Sequence, residues 1–190
     1  KKEKLVLSDV FVYPDLEPLV DDDTVQYPNS SELIDKVKEE KKANVLIEGA
    51  DQSGKTSLLF VMYKRFYEMG FTPIYLRGKN CKETNIKNLV KKSLKEQYDS
   101  NNVDLFFQQE TKILFLDNFH KSELNSKYKK KLIDSINDNF EFIYLTSDNT
   151  YSSKNVTEEA TSLKDYSKFK LLPLGHEKRS EVCSGLHWSR

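Results

Sequence analysis

Apolar residues along the chain fall into two kinds of run, and the two alternate. Short continuous runs of strand length and composition stand at residues 45–47, 72–76, 112–117, 142–145 and 169–172. Between them, apolar positions recur every three or four residues: Leu58, Leu59, Met62 and Phe66; then Ile86, Leu89, Val90 and Leu94; then Leu132, Ile133 and Ile136. That spacing predicts amphipathic helices over residues 55–69, 85–98 and 126–139, with Gly70 as a C-cap for the first. Residues 99–102 break the second helix, and a short helix is expected over 103–109. Upstream, residues 4–12 read as a strand punctuated by Pro14 and Pro18, and Asn29 with Glu32 has capping-box spacing for a short helix reaching Glu40. Residues 149–168 read as a polar surface loop with a weak helix, and 176–188 as a further helix. Five alternations of strand and helix imply a parallel sheet with helices on both faces.

The junction of the 45–47 strand with the first helix carries the chemistry. Gly49-Ala50-Asp51-Gln52-Ser53-Gly54-Lys55-Thr56 matches G-x-x-x-x-G-K-[ST], the Walker A phosphate loop, in its required context of strand, loop and helix. A polyphosphate needs several backbone N–H donors converging on it, and side chains at Gly49 and Gly54 would obstruct that approach. The loop opens onto a helix N-terminus, where unpaired N–H groups and the helix dipole favour an anion. Lys55 is expected to reach the β- and γ-phosphates and the Thr56 hydroxyl to ligate Mg²⁺, with Ser57 completing the loop. A glycine-containing strand–helix turn is the bland alternative.

Lys112-Ile113-Leu114-Phe115-Leu116-Asp117 has the Walker B form, four apolar residues closed by an aspartate. An aspartate at the carboxyl end of a buried strand lies where ligands bind in open α/β sheets and can hold Mg²⁺; the alternative is a strand-end helix cap. The next residue, Asn118, cannot act as a base where many P-loop ATPases place a carboxylate, which leaves His120 as a substitute base or a merely exposed loop histidine. Thr146 and Ser147 follow the fourth strand as polar groups beside the phosphate end of the sheet, and Tyr27 and Pro28 are candidate adenine contacts or ordinary packing.

Composition narrows the classes. Thirty basic and thirty acidic residues balance over 190 residues, so no net charge draws the chain to nucleic acid or membrane. Lys127, Lys129, Lys130 and Lys131 then read as a solvated helix face, and Asp21-Asp22-Asp23 as a solvated turn, since the acidic run lacks metal-ligand spacing. No apolar run approaches the ~20 residues of a membrane span, and there is no signal peptide. Cys81 and Cys183 are far apart and read as free thiols in a reducing cytoplasm. Lys1 is not a methionine and Arg190 falls in what reads as an unfinished helix, so the chain is expected to be a piece of a longer protein.

One further strand and helix separate the two Walker motifs. In this the chain resembles the P-loop class with an inserted strand, which implies a three-layer sandwich around a five-stranded parallel sheet of order 5-1-4-3-2. Within that class it resembles the STAND NTPases, bacterial relatives of NACHT and NB-ARC proteins. The upstream Leu-Ser-Asp-Val-Phe-Val-Tyr-Pro-Asp-Leu, the Walker A form Glu-Gly-Ala-Asp-Gln-Ser-Gly-Lys-Thr-Ser, Leu-Phe-Leu-Asp-Asn and the late Leu-Pro-Leu-Gly-His-Glu-Lys-Arg-Ser-Glu stretch leading to Trp188 carry that resemblance. It implies a lead-in over residues 1–42, an NTPase core over 43–175 and the start of a helical region over 176–190. It further implies an ATP/ADP and Mg²⁺ switch with slow or trigger-dependent hydrolysis, in signalling or antiphage defence. Sensor and effector domains on the same chain would be its partners, with homo-oligomerisation on activation. A phosphotransferase or true ATPase on a small substrate would want an arginine-rich lid, and Arg65, Arg77, Arg179 and Arg190 form no such cluster. A nucleic-acid motor would want basic tracks, against the charge balance. No guanine-reading Asn-Lys-x-Asp follows the fourth strand, which favours ATP over GTP.

Overall fold

The computed structural model describes residues 7, 11–19, 29–35, 37, 42–149, 158–176 and 178–180. Six strands, β1 (Leu16–Pro18), β2 (Ala43–Glu48), β3 (Thr72–Arg77), β4 (Lys112–Asp117), β5 (Phe142–Ser147) and β6 (Ser167–Leu171), form one sheet in the order β1-β6-β2-β5-β4-β3. Helices among the described residues include α1 (Glu32–Asp35), α2 (Lys55–Glu68), α3 (Ile86–Tyr98), α4 (Val103–Phe107) and α5 (Ser126–Asn137). Strands β2 to β6 pair in parallel, and β1 pairs antiparallel with β6. Counted from β2, the parallel strands alone run 5-1-4-3-2. The sheet as a whole is nonetheless mixed and six-stranded, which corrects the expected five-stranded parallel sheet.

The added strand escaped the hydrophobic pattern because it is three residues long and ends in proline. Pro18 has no N–H to give a ladder, which is tolerable on an edge. Leu16 faces inward and is buried, and Leu172 N donates to Asp15 O at 3.0 Å to continue the pairing. The strand expected at residues 4–12 lies mostly outside the described residues, and Phe11 and Val12 belong to no strand. Of the helix expected up to Glu40, residues 32–35 are helical and 36 and 38–40 lie outside the described residues, as do Asp21–Asp23, Cys183 and Trp188. β5 runs to Ser147, two residues beyond expectation, so Thr146 and Ser147 are strand residues and fully buried.

Alternation along the strands sends side chains to two cores. Leu46, Ile74, Leu76, Leu114, Leu116, Ile143 and Leu145 face α3, α4 and α5. Val45, Ile47, Tyr75, Ile113, Phe115, Tyr144 and Phe169 face α1 and α2. Coverage on both faces explains why strands β2 to β5 read as apolar runs. Phe66 of α2 anchors the second core, 5.6 Å from Tyr144 and 6.0 Å from Phe115 between ring centroids, and Phe115 stacks on Tyr144 at 5.4 Å. The Tyr144 hydroxyl donates to Leu33 O at 2.9 Å, tying α1 to the sheet. This packing holds α2 against β4 and β5, and Thr56 in its first turn bonds Asp117 at the end of β4.

The free edge of β3 is closed by the end of α3. The Gln97 amide accepts from Tyr75 N at 3.0 Å and donates to Tyr75 O at 2.7 Å, and Tyr98 donates to Pro73 O at 2.6 Å. Side chains thereby occupy backbone groups that would otherwise recruit another strand. Of the lysine run on α5, Lys127 and Lys131 are exposed, Lys130 pairs with Asp134 at 2.6 Å and Lys129 lies over the Phe119 ring. Cys81 is a buried free thiol whose pKa burial pushes up to about 12. Among the described residues, no helix is long and apolar enough to cross a membrane.

Candidate functional site

β2 delivers the chain into the loop Gly49–Gly54, and α2 begins at Lys55. Gly54 has φ 99°, a left-handed conformation that a side chain would strain, and a Cβ on Gly49 would meet Ser53 Oγ at 2.6 Å. Gln52, at φ 62°, also turns left-handed. No side chain caps the start of α2, so its first N–H groups open towards the loop. Lys55 is 4% exposed, and its Nζ donates to Gly49 O at 2.6 Å and Ala50 O at 2.7 Å. Burial lowers the Lys55 pKa from the ordinary lysine value, while Asp51 and Asp117 oppose that shift. A buried cation lies against loop carbonyls, and Ser53 Oγ is buried beside it without a hydrogen-bond partner among the described residues. A phosphate chain is the class of ligand that meets an uncapped helix start, an ammonium group and a spare hydroxyl together.

Asp117, 5% exposed at the end of β4, is surrounded by hydroxyl donors. Oδ2 accepts from Thr56 Oγ1 at 2.9 Å and from Tyr75 Oη at 2.7 Å, and Oδ1 accepts from Thr146 Oγ1 at 2.8 Å. Burial, and the hydrogen bond to Asp117, push the Tyr75 phenol above its ordinary pKa, so it stays a donor. Asp117 does not cap a helix; the next element is a 3₁₀ turn whose N-cap is Asn118, with no side-chain capping bond. Among the described residues, no group of three or more His, Cys, Asp or Glu could hold a metal unaided. A Mg²⁺ ion needs no such cage, since it takes one or two protein oxygens with phosphates and water. Thr56 and Asp117, 2.9 Å apart beside the loop, fit that requirement.

Asn118 adopts φ 53°, and its carbonyl oxygen would lie 2.1 Å from a Cβ on Gly78. The turn after β3 and the turn after β4 therefore touch backbone to backbone. Asn118 Nδ2 contacts Thr56 Oγ1 at 3.4 Å, and Asn118 N donates to Thr146 Oγ1 at 2.8 Å. Ser147 Oγ lies 3.4 Å from His120 Nδ1, and Ser147 O accepts from Gly49 N at 3.3 Å. Burial lowers the His120 pKa, with Asp148 opposing and Lys121 adding to the shift. Lys121 reaches Asp51 at 3.6 Å across the mouth of the loop.

Lys55, Thr56, Asp117, Asn118, His120, Thr146 and Ser147 thus converge, while Ala50, Asp51 and Gln52 stand exposed at the loop tip and Ser57 is half-buried. Thr146 faces Asp117 and Asn118 rather than the open loop. Tyr27 and Pro28 lie outside the described residues. Tyr75 is the member that sequence reasoning missed. The available signal was a phenol inside an apolar strand, because a buried Tyr hydroxyl usually finds a partner.

A family described as AAA domain matches residues 41–178. No curated protein matches. Among solved structures, the fold is similar to AMPPCP-bound DnaA from Aquifex aeolicus, at 15% identity and TM-score 0.55 over 80% of this chain and 48% of that one. It is also similar to the DnaC helicase loader, at 16% identity and TM-score 0.52 over 79% of this chain and 95% of that one. The RuvB Holliday junction branch migration motor of Thermotoga maritima matches at 14% identity and TM-score 0.51, over 88% of this chain and 52% of that one. The chain spans about half the length of the DnaA and RuvB chains it matches. These likenesses extend to the α/β P-loop NTPase fold. With the family match covering most of its length, the chain belongs to the AAA domain family.

Proposed function

We propose that this chain is an ATP-binding switch domain that takes ATP or ADP with Mg²⁺ at Gly49–Ser57 and Asp117, within a longer STAND-type signalling or defence protein. The observation that carries the nucleotide reading is the Lys55–Thr56–Asp117 arrangement: a buried ammonium on the loop and a hydroxyl 2.9 Å from a buried carboxylate, one step apart at the start of α2. Lys55 exchanges its two carbonyl partners for β- and γ-phosphate oxygens, and the loop N–H groups and the start of α2 hold the rest of the chain of phosphates. Thr56 and Asp117 hold Mg²⁺, which when bound neutralises charge on the phosphates. Ser53 Oγ gains the partner it lacks.

Hydrolysis by this domain alone is slow. Asn118 points at Thr56 with an amide, which cannot take a proton from water. His120, whose pKa is lowered by burial, is the remaining base, and it contacts Ser147. A switch needs only differential binding of the two nucleotides by two arrangements of the protein. Residues 1–42 are the lead-in, 43–175 the nucleotide-binding core and 176–190 the start of a helical region. The sensor and effector domains beyond them are the partners, with homo-oligomerisation on activation in the cytoplasm. The equal numbers of basic and acidic residues favour this reading over a DNA-translocating one.

Calorimetric titration with ATP and Mg²⁺ tests the proposal. Lys55→Ala removes charge-assisted contacts of the kind worth about 1.5–3 kcal/mol each, so affinity should fall on the order of 10- to 100-fold with the fold intact. Equal affinity in wild type and variant would contradict it.

A further inference from the structure

We propose that Tyr75 is a positioning residue that restricts Asp117 to a single open lone pair, and so makes the site select Mg²⁺ over Ca²⁺; this rests on the nucleotide reading above. An ionised carboxylate offers about four lone-pair positions. Three are taken here, by Thr56 Oγ1 at 2.9 Å, Tyr75 Oη at 2.7 Å and Thr146 Oγ1 at 2.8 Å. Thr146 is fully buried on β5, and it also accepts from Asn118 N at 2.8 Å, so its hydroxyl direction is set. Thr56 can hold its proton on Asp117 while turning a lone pair to a metal. Tyr75 is the donor with no role of its own towards nucleotide. It sits on the edge strand, reaches Asp117 from the neighbouring strand, and adds a second donor to Oδ2, so the open position is left on Oδ1.

Tyr75 is held for that task. Its backbone N–H and carbonyl are clamped by Gln97. Its ring stacks on Phe60 at 4.8 Å and 25°. The same ring walls a cavity of about 700 Å³ between α2, β3 and α3, so space for a different side-chain position exists and is not used. Mg²⁺ is satisfied by one carboxylate oxygen, waters and phosphates, whereas Ca²⁺ takes six to eight oxygens and commonly uses both oxygens of a carboxylate. A carboxylate with three positions filled therefore disfavours the larger ion.

The experiment is ATP affinity by calorimetry in Mg²⁺, in Ca²⁺ and in EDTA, for wild type, Tyr75→Phe and Lys55→Ala. Tyr75→Phe keeps the ring on Phe60 and removes the hydroxyl. It should leave affinity in EDTA within about twofold and lower the ratio of Mg²⁺- to Ca²⁺-supported affinity by at least about threefold. An unchanged ratio in a folded Tyr75→Phe protein overturns the proposal. Wild type is read independently of that variant: ATP affinity supported equally well by Ca²⁺ and by Mg²⁺ in wild type overturns the proposal. Wild-type affinity in Lys55→Ala would instead overturn the nucleotide reading. Weak binding by Lys55→Ala with an unaltered metal ratio in Tyr75→Phe overturns the role of Tyr75 alone.

Discussion

The loop Gly49–Gly54 offers a ligand mostly backbone, within six consecutive residues, while Asp117 is held by side chains from α2, β3 and β5. Its three donors lie 61, 42 and 29 positions away in sequence. The phosphate side depends on a local conformation: two glycines without room or tolerance for a Cβ, a left-handed Gln52 and an uncapped helix start. The metal side depends on tertiary registration of three strands and one helix. A local device survives strain elsewhere in the sheet, whereas an assembled one does not. The two sides should therefore fail differently.

The largest expected contrast is kinetic. The metal side carries Asn118 where a carboxylate would activate water, and among the described residues no arginine bonds to Lys55, Thr56 or Asp117; a missing arginine finger alone can cost ~10³–10⁵ in rate. Steady-state phosphate release should stay well below ~1 s⁻¹ even where the proposed ATP binding at the phosphate side is measured. Faster turnover abolished by Lys55→Ala would reveal a base, with His120 the first to replace. Next in size is Gly78→Ala, which forces a methyl onto the Asn118 carbonyl. It should destabilise the fold by about 1–3 kcal/mol in thermal or denaturant unfolding and weaken Mg²⁺-dependent binding more than metal-free binding. Equal losses in Mg²⁺ and EDTA would mean the two sides are not separable.

Asp117→Asn should weaken Mg²⁺·ATP binding about tenfold and leave binding in EDTA nearly unchanged, because it removes a charge facing the ion. Titrations that lose equally in both conditions would make Asp117 structural. The smallest effect concerns pH. Burial depresses the folded pKa of His120, so the unfolded chain binds more protons. The associated stability is present above the unfolded-state pKa and is lost as pH falls through the folded one. Unfolding midpoints should thus decline less on acidification in His120→Gln than in wild type, and parallel curves would count against this assignment.

The same contrast explains what could be read in advance. The phosphate side was legible as a contiguous motif because its chemistry is backbone conformation, which glycine positions report. Asp117 was legible through its place at the end of an apolar run. Tyr75 was not, because its register beside β4 and the reach of its phenol are properties of the assembled sheet. Thr146 was noticed as a polar group beside the phosphate end of the sheet, but its bonds to Asp117 and Asn118 depend on β5 lying beside β4 in the assembled sheet. Of the parallel strands, β2 to β5 were legible as apolar runs buried on both faces, whereas β6 alternates buried Phe169 and Leu171 with exposed Lys170. β1 was not, because three residues ending in Pro18 carry too little pattern, and antiparallel pairing with β6 alone defines the strand.

The most direct test of nucleotide binding across these two sides is a crystal structure grown with Mg²⁺ and a non-hydrolysable ATP analogue. The account predicts that Lys55 Nζ leaves Gly49 O and Ala50 O for the β- and γ-phosphates, with the metal ion beside Thr56 Oγ1 on the Asp117 side. A structure in which the analogue lies elsewhere while Lys55 keeps both carbonyl partners would contradict it.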